Sequence, residues 1–126
     1  MPRTNQHDAP VALDIPEAEI RQVDLDGYSV TFNTFKTESD PAALFRGLPD
    51  DACQCPHWGI VLSGELVFRY ADHDETYAAG DAYYGPPGHV PLSAAGTQTI
   101  EFSPADALQT TMAVVSRNMQ RLARQR

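Results

Sequence analysis

Between Asp51 and His57 the sequence reads Asp-Ala-Cys-Gln-Cys-Pro-His, which sets Asp51, Cys53, Cys55 and His57 at every second position. On an extended strand side chains alternate between faces, so these four would share one face. Thiolate and imidazole are the donors that borderline and soft ions select, zinc or copper ahead of iron. His89 follows the rigid corner Pro86-Pro87-Gly88 and supplies a second imidazole from a neighbouring strand. Three such ligands leave one coordination position open. Spacing ranks the members: two strand residues span ~6.6 Å, which puts Cys53 and His57 ~13 Å apart on a straight strand, too far for one ion. The expected set is Cys55, His57 and His89, with Cys53 entering only if the chain bends at Pro56. The competing account of the same residues is packing, because free cysteine is among the most buried residue types and Pro56 removes a ladder donor.

Other positions carry secondary candidates. Cys55-Pro56 resembles a haem-regulatory dipeptide, in which the cysteine supplies an axial thiolate. Tyr83 and Tyr84 are the expected lining of a small-molecule pocket, while Trp58, opposite in parity to His57, is expected on the outer face of its sheet. Glu101 is a fourth ligand or a general base, against the alternative of an exposed strand carboxylate. His7 and His73, in an N-terminal segment and a turn, read as solvated. Nucleophile elbows, P-loops, dinucleotide fingerprints and zinc-finger spacings are absent from the sequence.

The elements that must position these residues are short. Residues 1–18 are polar and proline-interrupted, and read as an arm or a strand added late. Residues 19–103 are strand-like runs between turn residues, the pattern of an all-β barrel. Tyr28, Val30 and Phe32 alternate with Ser29, Thr31 and Asn33, as in a strand with one buried face. His57–Ser63 and Leu66–Tyr70 flank Gly64 in the manner of a hairpin, and Pro41–Leu48 has room for one helical turn. Residues 104–126 read as a helix, with Ser103 as its N-cap, Pro104 at N1 and Asp106 at N3. Its apolar stripe of Leu108, Met112, Val115, Met119 and Leu122 packs on the barrel or on a second subunit.

With 126 residues, 42% of them apolar and 21% charged, the chain suits one globular domain rather than a disordered segment or a rod. The net charge is −8, and Arg117, Arg121, Arg124 and Arg126 crowd into the last ten residues, so the body is more acidic still. Such a surface repels phosphate backbones and anionic lipid. Without a bilayer-length apolar run or a signal-peptide core, and with two cysteines too close to bridge without strain, the expectation is a cytoplasmic protein with reduced thiols.

Two segments resemble the cupin superfamily. Gly80-Asp81-Ala82-Tyr83-Tyr84-Gly85-Pro86-Pro87-Gly88 matches the glycine, five-residue gap and Pro-x-Gly of the second cupin motif. Val61-Leu62-Ser63-Gly64-Glu65 is similar to the segment that ends the first. The resemblance runs from about Tyr28 to Phe102 and implies a jelly-roll β-barrel with ligands projecting inward. The ligand identities differ. His57 stands where the family has glutamate, Asp51 and Cys53 fall at its two histidine positions, and Pro91 and Ala95 replace its later histidine and asparagine, with His89 two residues early. Two functions are compatible with this sequence: a metal-dependent enzyme acting on a small organic molecule, or a metal-free module that only binds or senses one. Edge strands and an apolar outer face in such barrels lead us to expect a homodimer.

Overall fold

The alternating runs become nine strands and one helix among the residues described by the computed structural model, 2–38 and 40–125. Met1 and Arg126, assigned above to the arm and the helix, lie outside the described residues. The elements are β1 (Val11–Ile15), β2 (Ala18–Leu25), β3 (Tyr28–Phe35), β4 (His57–Ser63), β5 (Glu65–Arg69), β6 (Asp74–Ala78), β7 (Ala82–Gly85), β8 (Val90–Ser93), β9 (Thr97–Pro104) and α1 (Ala105–Arg124). Strands pair antiparallel in the order β1-β2-β3-β9-β4-β7 in one sheet and β6-β5-β8 in the other. This is an all-β barrel of jelly-roll type with a C-terminal helix. The second half of the N-terminal arm, Val11–Ile15, is an edge strand of the larger sheet.

The turn at Gly64 is a corner rather than a hairpin. β4 and β5 belong to different sheets, and the chain crosses between them at a residue with φ of +79°. A Cβ at Gly64 would lie 2.6 Å from Thr97 Cα, so both the backbone conformation and the space demand glycine. Thr97 Oγ1 then locks the corner, accepting from the Glu65 amide at 3.1 Å and donating to the Glu65 carbonyl at 3.0 Å. The hairpin that the sequence pattern suggested at this point is β5–β6, one strand later.

The faces of the larger sheet are unusual in polarity. In β3 the buried side chains include Ser29, Thr31 and Asn33, and in β9 Thr97, Thr99 and Ser103, whereas Tyr28 and Phe102 are about half-exposed. A polar interior at these positions is what a barrel that holds a polar site requires. Apolar packing lies at two places around it. Val61, Leu66, Phe68 and Tyr83 fill the space between the sheets. Phe45, Leu48, Cys53, Cys55, Leu108 and Val115 join the barrel to α1.

The small sheet covers only part of the large one, and α1 covers the rest. Its stripe includes Leu108 and Val115, both buried against the barrel side, and a 3-10 turn at Ala42–Phe45 packs beside it. Asn118 fastens the two, its Nδ2 donating to the carbonyls of Leu44 at 2.7 Å and Arg46 at 2.9 Å. Pro104 occupies the N-cap with no side-chain cap hydrogen bond, so Ser103 is not the cap that its sequence context suggested. Its hydroxyl is engaged inside the barrel. No helix among the described residues is long and apolar enough to cross a membrane.

Candidate metal centre and its cavity

Cys53 and His89 are brought together by their backbones. They form an isolated antiparallel bridge, with the Cys53 amide donating to the His89 carbonyl at 2.8 Å and the His89 amide to the Cys53 carbonyl at 3.2 Å. His89 sits at the entrance to β8, in the small sheet. From Cys53 the chain turns through Gln54-Cys55-Pro56 and enters β4, in the large sheet, at His57. These residues are therefore not one strand, and Cys53 and His57 face one another across the interior, with Sγ 3.7 Å from Nε2. The ~13 Å separation expected on a straight strand does not arise, because Pro56 has no amide to continue a ladder and the chain bends there.

One ligand atom from each of Cys53, His57 and His89 lies within 4.8 Å of the others, and all three residues are buried. This grouping reverses the expected ranking of the cysteines. Cys55 is fully buried in the apolar cluster with Phe45, Leu48, Leu108 and Val115, and its thiol donates to the Pro56 carbonyl at 3.4 Å. The Cys55-Pro56 thiol is thus fully enclosed and is not one of the three donors that converge among the described residues. Asp51 lies in a 3-10 turn at Pro49–Asp51, where its carboxylate accepts from the Gly47 amide at 3.0 Å.

The two imidazoles are oriented by their second nitrogens. His89 Nδ1–H donates to the Pro86 carbonyl at 2.8 Å, which leaves the lone pair on Nε2. That Nε2 is buried and has no hydrogen-bond partner. His57 Nδ1 meets Ser103 Oγ at 2.6 Å, which directs Nε2 towards Cys53. Phe68 stacks on the His89 ring, with centroids 4.1 Å apart and planes 5° from parallel. Gly85 makes room for this stack, since a Cβ there would collide with the Phe68 ring.

Burial pushes the His89 imidazole down to about 4, with the neighbouring His57 adding to the shift and the Pro86 carbonyl opposing it. Burial pushes the Cys53 thiol up to about 11, against an opposing hydrogen bond from the Cys55 backbone, and the Cys55 thiol up to about 12. Hence near neutral pH His89 is an unprotonated donor. Cys53 keeps its proton until a cation displaces it.

The donor set fits a metal ion on two counts. An orphaned, buried imidazole nitrogen costs about 1–3 kcal/mol unless something pairs with it. Ligand bonds of ~2.0–2.3 Å set tetrahedral edges of roughly 3.4–3.6 Å, near the 3.7 Å between Cys53 Sγ and His57 Nε2.

A cavity of about 540 Å³ opens beside the three residues. Thr31, Asn33, Thr99 and Glu101 line its polar wall, and Ile20, Phe35, Met112 and Leu122 are among its apolar lining. Glu101 is neither a fourth member of the cluster nor a freely solvated carboxylate. It accepts from the Tyr83 hydroxyl at 2.6 Å on one oxygen and from Asn33 Nδ2 at 3.3 Å on the other. Burial and the Glu101 charge hold the Tyr83 phenol well above the ordinary tyrosine range, so it stays a donor. Tyr83 thus stands behind the cavity wall, joined to it through Glu101. Tyr84 points the other way, exposed, with its ring 5.0 Å from Trp58 on the outer face. His7 is exposed, and His73 sits in an exposed turn between the carboxylates of Asp72 at 2.6 Å and Glu75 at 3.1 Å, which raise its pKa. Sequence reasoning missed Ser103, whose place two residues beyond Glu101 on the same face of β9 was the available signal. It also missed Asn33, on the polar face of β3.

No protein-family model matches the chain, and no curated protein matches it. Solved structures do. A protein of unknown function from Rhizobium leguminosarum aligns at 18% identity over 82% of this chain and 95% of its own, with a TM-score of 0.61. An RmlC-like cupin from Shewanella frigidimarina aligns at 14% identity over 80% and 88%, with a TM-score of 0.55. The ferrous-iron form of HppE aligns at 12% identity over 82% of this chain and 60% of its own, with a TM-score of 0.56. The class defined by this likeness and by the paired sheets is that of cupin-fold proteins. Within that fold the chain carries a buried Cys-His-His cluster at the end of an amphipathic cavity.

Proposed function

We propose that the protein holds a divalent metal ion between Cys53, His57 and His89 and presents it to a small organic molecule in the adjoining cavity. The observation that carries this reading is the buried Nε2 of His89, unpartnered and converging with Cys53 Sγ and His57 Nε2. Mixed sulfur and imidazole donors favour zinc or copper, with iron also accommodated. The iron of the ferrous HppE form supports a metal-bearing role for this type of barrel. Such an ion would supply Lewis acidity at its open position.

The rest of the chemistry falls to the chain. Ser103 and the Pro86 carbonyl fix the two rings, so that little reorganisation accompanies binding. Glu101, held by Tyr83 and Asn33, accepts a hydrogen bond or a proton from the ligand's polar end. The apolar wall formed with α1 takes its hydrocarbon part and excludes water. The two free, buried thiols suit a reducing compartment, and we place the protein in the cytoplasm on that basis.

Elemental analysis of protein purified without added metal, and again after reconstitution with zinc, copper or iron under reducing conditions, tests the proposal. One ion per chain is expected in the wild type and in Cys55→Ala, with loss in Cys53→Ala, His57→Ala and His89→Ala. A folded wild type that takes up none of these ions would leave the cavity as a metal-free binding site and end the metalloprotein reading.

A further inference from the structure

The cavity beside the three donors carries fixed charge of one sign. Its lining among the described residues includes three carboxylates, Glu17, Asp40 and Glu101, and no lysine or arginine. The cations of the adjoining elements are engaged elsewhere. Arg21 alternates along β2 with Ile20 and Gln22, which line the cavity, and pairs with Glu19 at 2.9 Å on the other face. Lys36 pairs with Asp14 at 2.8 Å, and Arg121 of α1 donates to Asn118 Oδ1 at 3.2 Å. Glu17 and Asp40 are exposed and stand at the mouth, whereas Glu101 is part-buried inside. Glu101 also has unused acceptor sites. A carboxylate offers about four, and two are taken, by the Tyr83 hydroxyl at 2.6 Å and Asn33 Nδ2 at 3.3 Å. Both donors are neutral, and no cation among the described residues pairs with this carboxylate. Its place is built into the sheet. Gly59 lies opposite it in β4, where a Cβ would stand 2.7 Å from the Tyr83 hydroxyl oxygen, so glycine is what lets the phenol reach Glu101. Two residues along β9 on the same inner face, ~6.6 Å away, Ser103 holds the His57 ring.

We infer that the cavity selects an amine, with a protonated nitrogen paired to Glu101 and a hydrocarbon body against Ile20, Phe35, Met112 and Leu122. The inference rests on the reading of the cavity as a ligand site and is independent of the metal. A carboxylate taken out of water without a counter-charge is unfavourable, and an ammonium head supplies the cation that the chain itself does not. Its several N–H donors suit the two acceptor sites that Tyr83 and Asn33 leave open, and such charge-assisted bonds are roughly twice as strong as neutral ones. An alcohol fills one of those sites but leaves the charge uncompensated. An anionic head meets carboxylates, with no lysine or arginine in the lining to receive it. The same sign rule acts before binding. Glu17 and Asp40 at the mouth, on a chain of net charge −8, raise the local concentration of cations and lower that of anions. The apolar wall then excludes small hydrated cations, because they bring no hydrocarbon surface to bury in exchange for their water.

Three probes with one hydrocarbon body and different heads test it: n-octylammonium, n-octanol and octanoate. Calorimetric titration of the full chain, as purified and again after chelation, should rank them in that order. Octylammonium should bind about tenfold more tightly than octanol, the ratio of a charge-assisted to a neutral hydrogen bond, and octanoate should bind weakest. Methylammonium, which has the head without the body, should bind too weakly to measure. In Glu101→Gln the ratio of octylammonium to octanol affinity should fall to about one. If that variant does not fold, Glu17→Gln/Asp40→Asn, altered only at exposed positions, should lower the ratio by about two- to fivefold. Octanol or octanoate binding as tightly as octylammonium, or a ratio untouched in the folded variants, would overturn the amine and leave the cavity a ligand site. Failure of all three probes to bind would remove the inference together with the ligand site on which it rests.

Discussion

Replacing Ser103 by alanine removes one oxygen atom and should weaken both the fold and the metal centre. Ser103 is 1% exposed, and its Oγ lies 2.6 Å from His57 Nδ1 inside the barrel. The variant leaves that ring nitrogen buried without a partner, at a cost of about 1–3 kcal/mol. For a domain of this size a loss of 1 kcal/mol lowers Tm by roughly 3–6 °C. The ring also loses the contact that aims Nε2 at Cys53, and removal of such an outer contact typically costs about 10–100-fold in metal affinity. Calorimetric unfolding of the metal-free protein and a competition titration for zinc measure the two effects separately. A helix cap would act differently, because losing it lowers stability by ~1 kcal/mol without touching the metal. Zinc affinity unchanged in Ser103→Ala would therefore refute the argument, whatever the change in Tm.

Gly64→Ala should destabilise by more than about 1 kcal/mol, through the left-handed backbone and the clash with Thr97, as read by denaturant midpoint; near-wild-type stability would show that the corner can relax. Asn118→Ala strands two backbone carbonyls and should cost about 1–3 kcal/mol, with hydrogen exchange accelerated in Ala42–Phe45; uniform protection across that turn would contradict the fastening role. Because burial and the Glu101 charge raise the Tyr83 pKa, its phenol stays protonated as pH rises through the ordinary tyrosine range. Alkaline difference spectra of the wild type and Tyr83→Phe should therefore superimpose at pH 11, and a deficit of one tyrosinate in the variant would contradict that placement.

Most of the fold was legible because period-two alternation and the glycine and proline corners survive in any strand register. The β region, the corner at Pro86-Pro87-Gly88 and the helix after Pro104 all follow from local chemistry. Alternation does not say which face is the interior. In β3 the larger apolar side chains stand on the outer face with Tyr28 and Phe32, and the polar set Ser29, Thr31 and Asn33 turns inward, because the barrel encloses a site rather than an oily core. The cysteine ranking differs from the grouping in the structure for a related reason. It treated Cys53 to His57 as one straight strand, whereas Pro56 ends the strand and Cys53 pairs with His89 instead. Such a non-local bridge leaves no mark in the spacing of the residues. Ser103 misled because Ser-Pro-Ala-Asp is good capping grammar, and only the position of His57 across β4 and β9 reveals the competing use of its hydroxyl.

The central claim is that one sulfur and two imidazoles meet a single ion, and cobalt substitution tests it most directly. The protein loaded with one equivalent of Co²⁺ should show a near-ultraviolet thiolate-to-metal band, and X-ray absorption should give one sulfur at ~2.3 Å with two imidazole nitrogens at ~2.0–2.1 Å. The band should vanish in Cys53→Ser and persist in Cys55→Ser. A first shell without sulfur, or a band that depends on Cys55 rather than Cys53, would contradict the account.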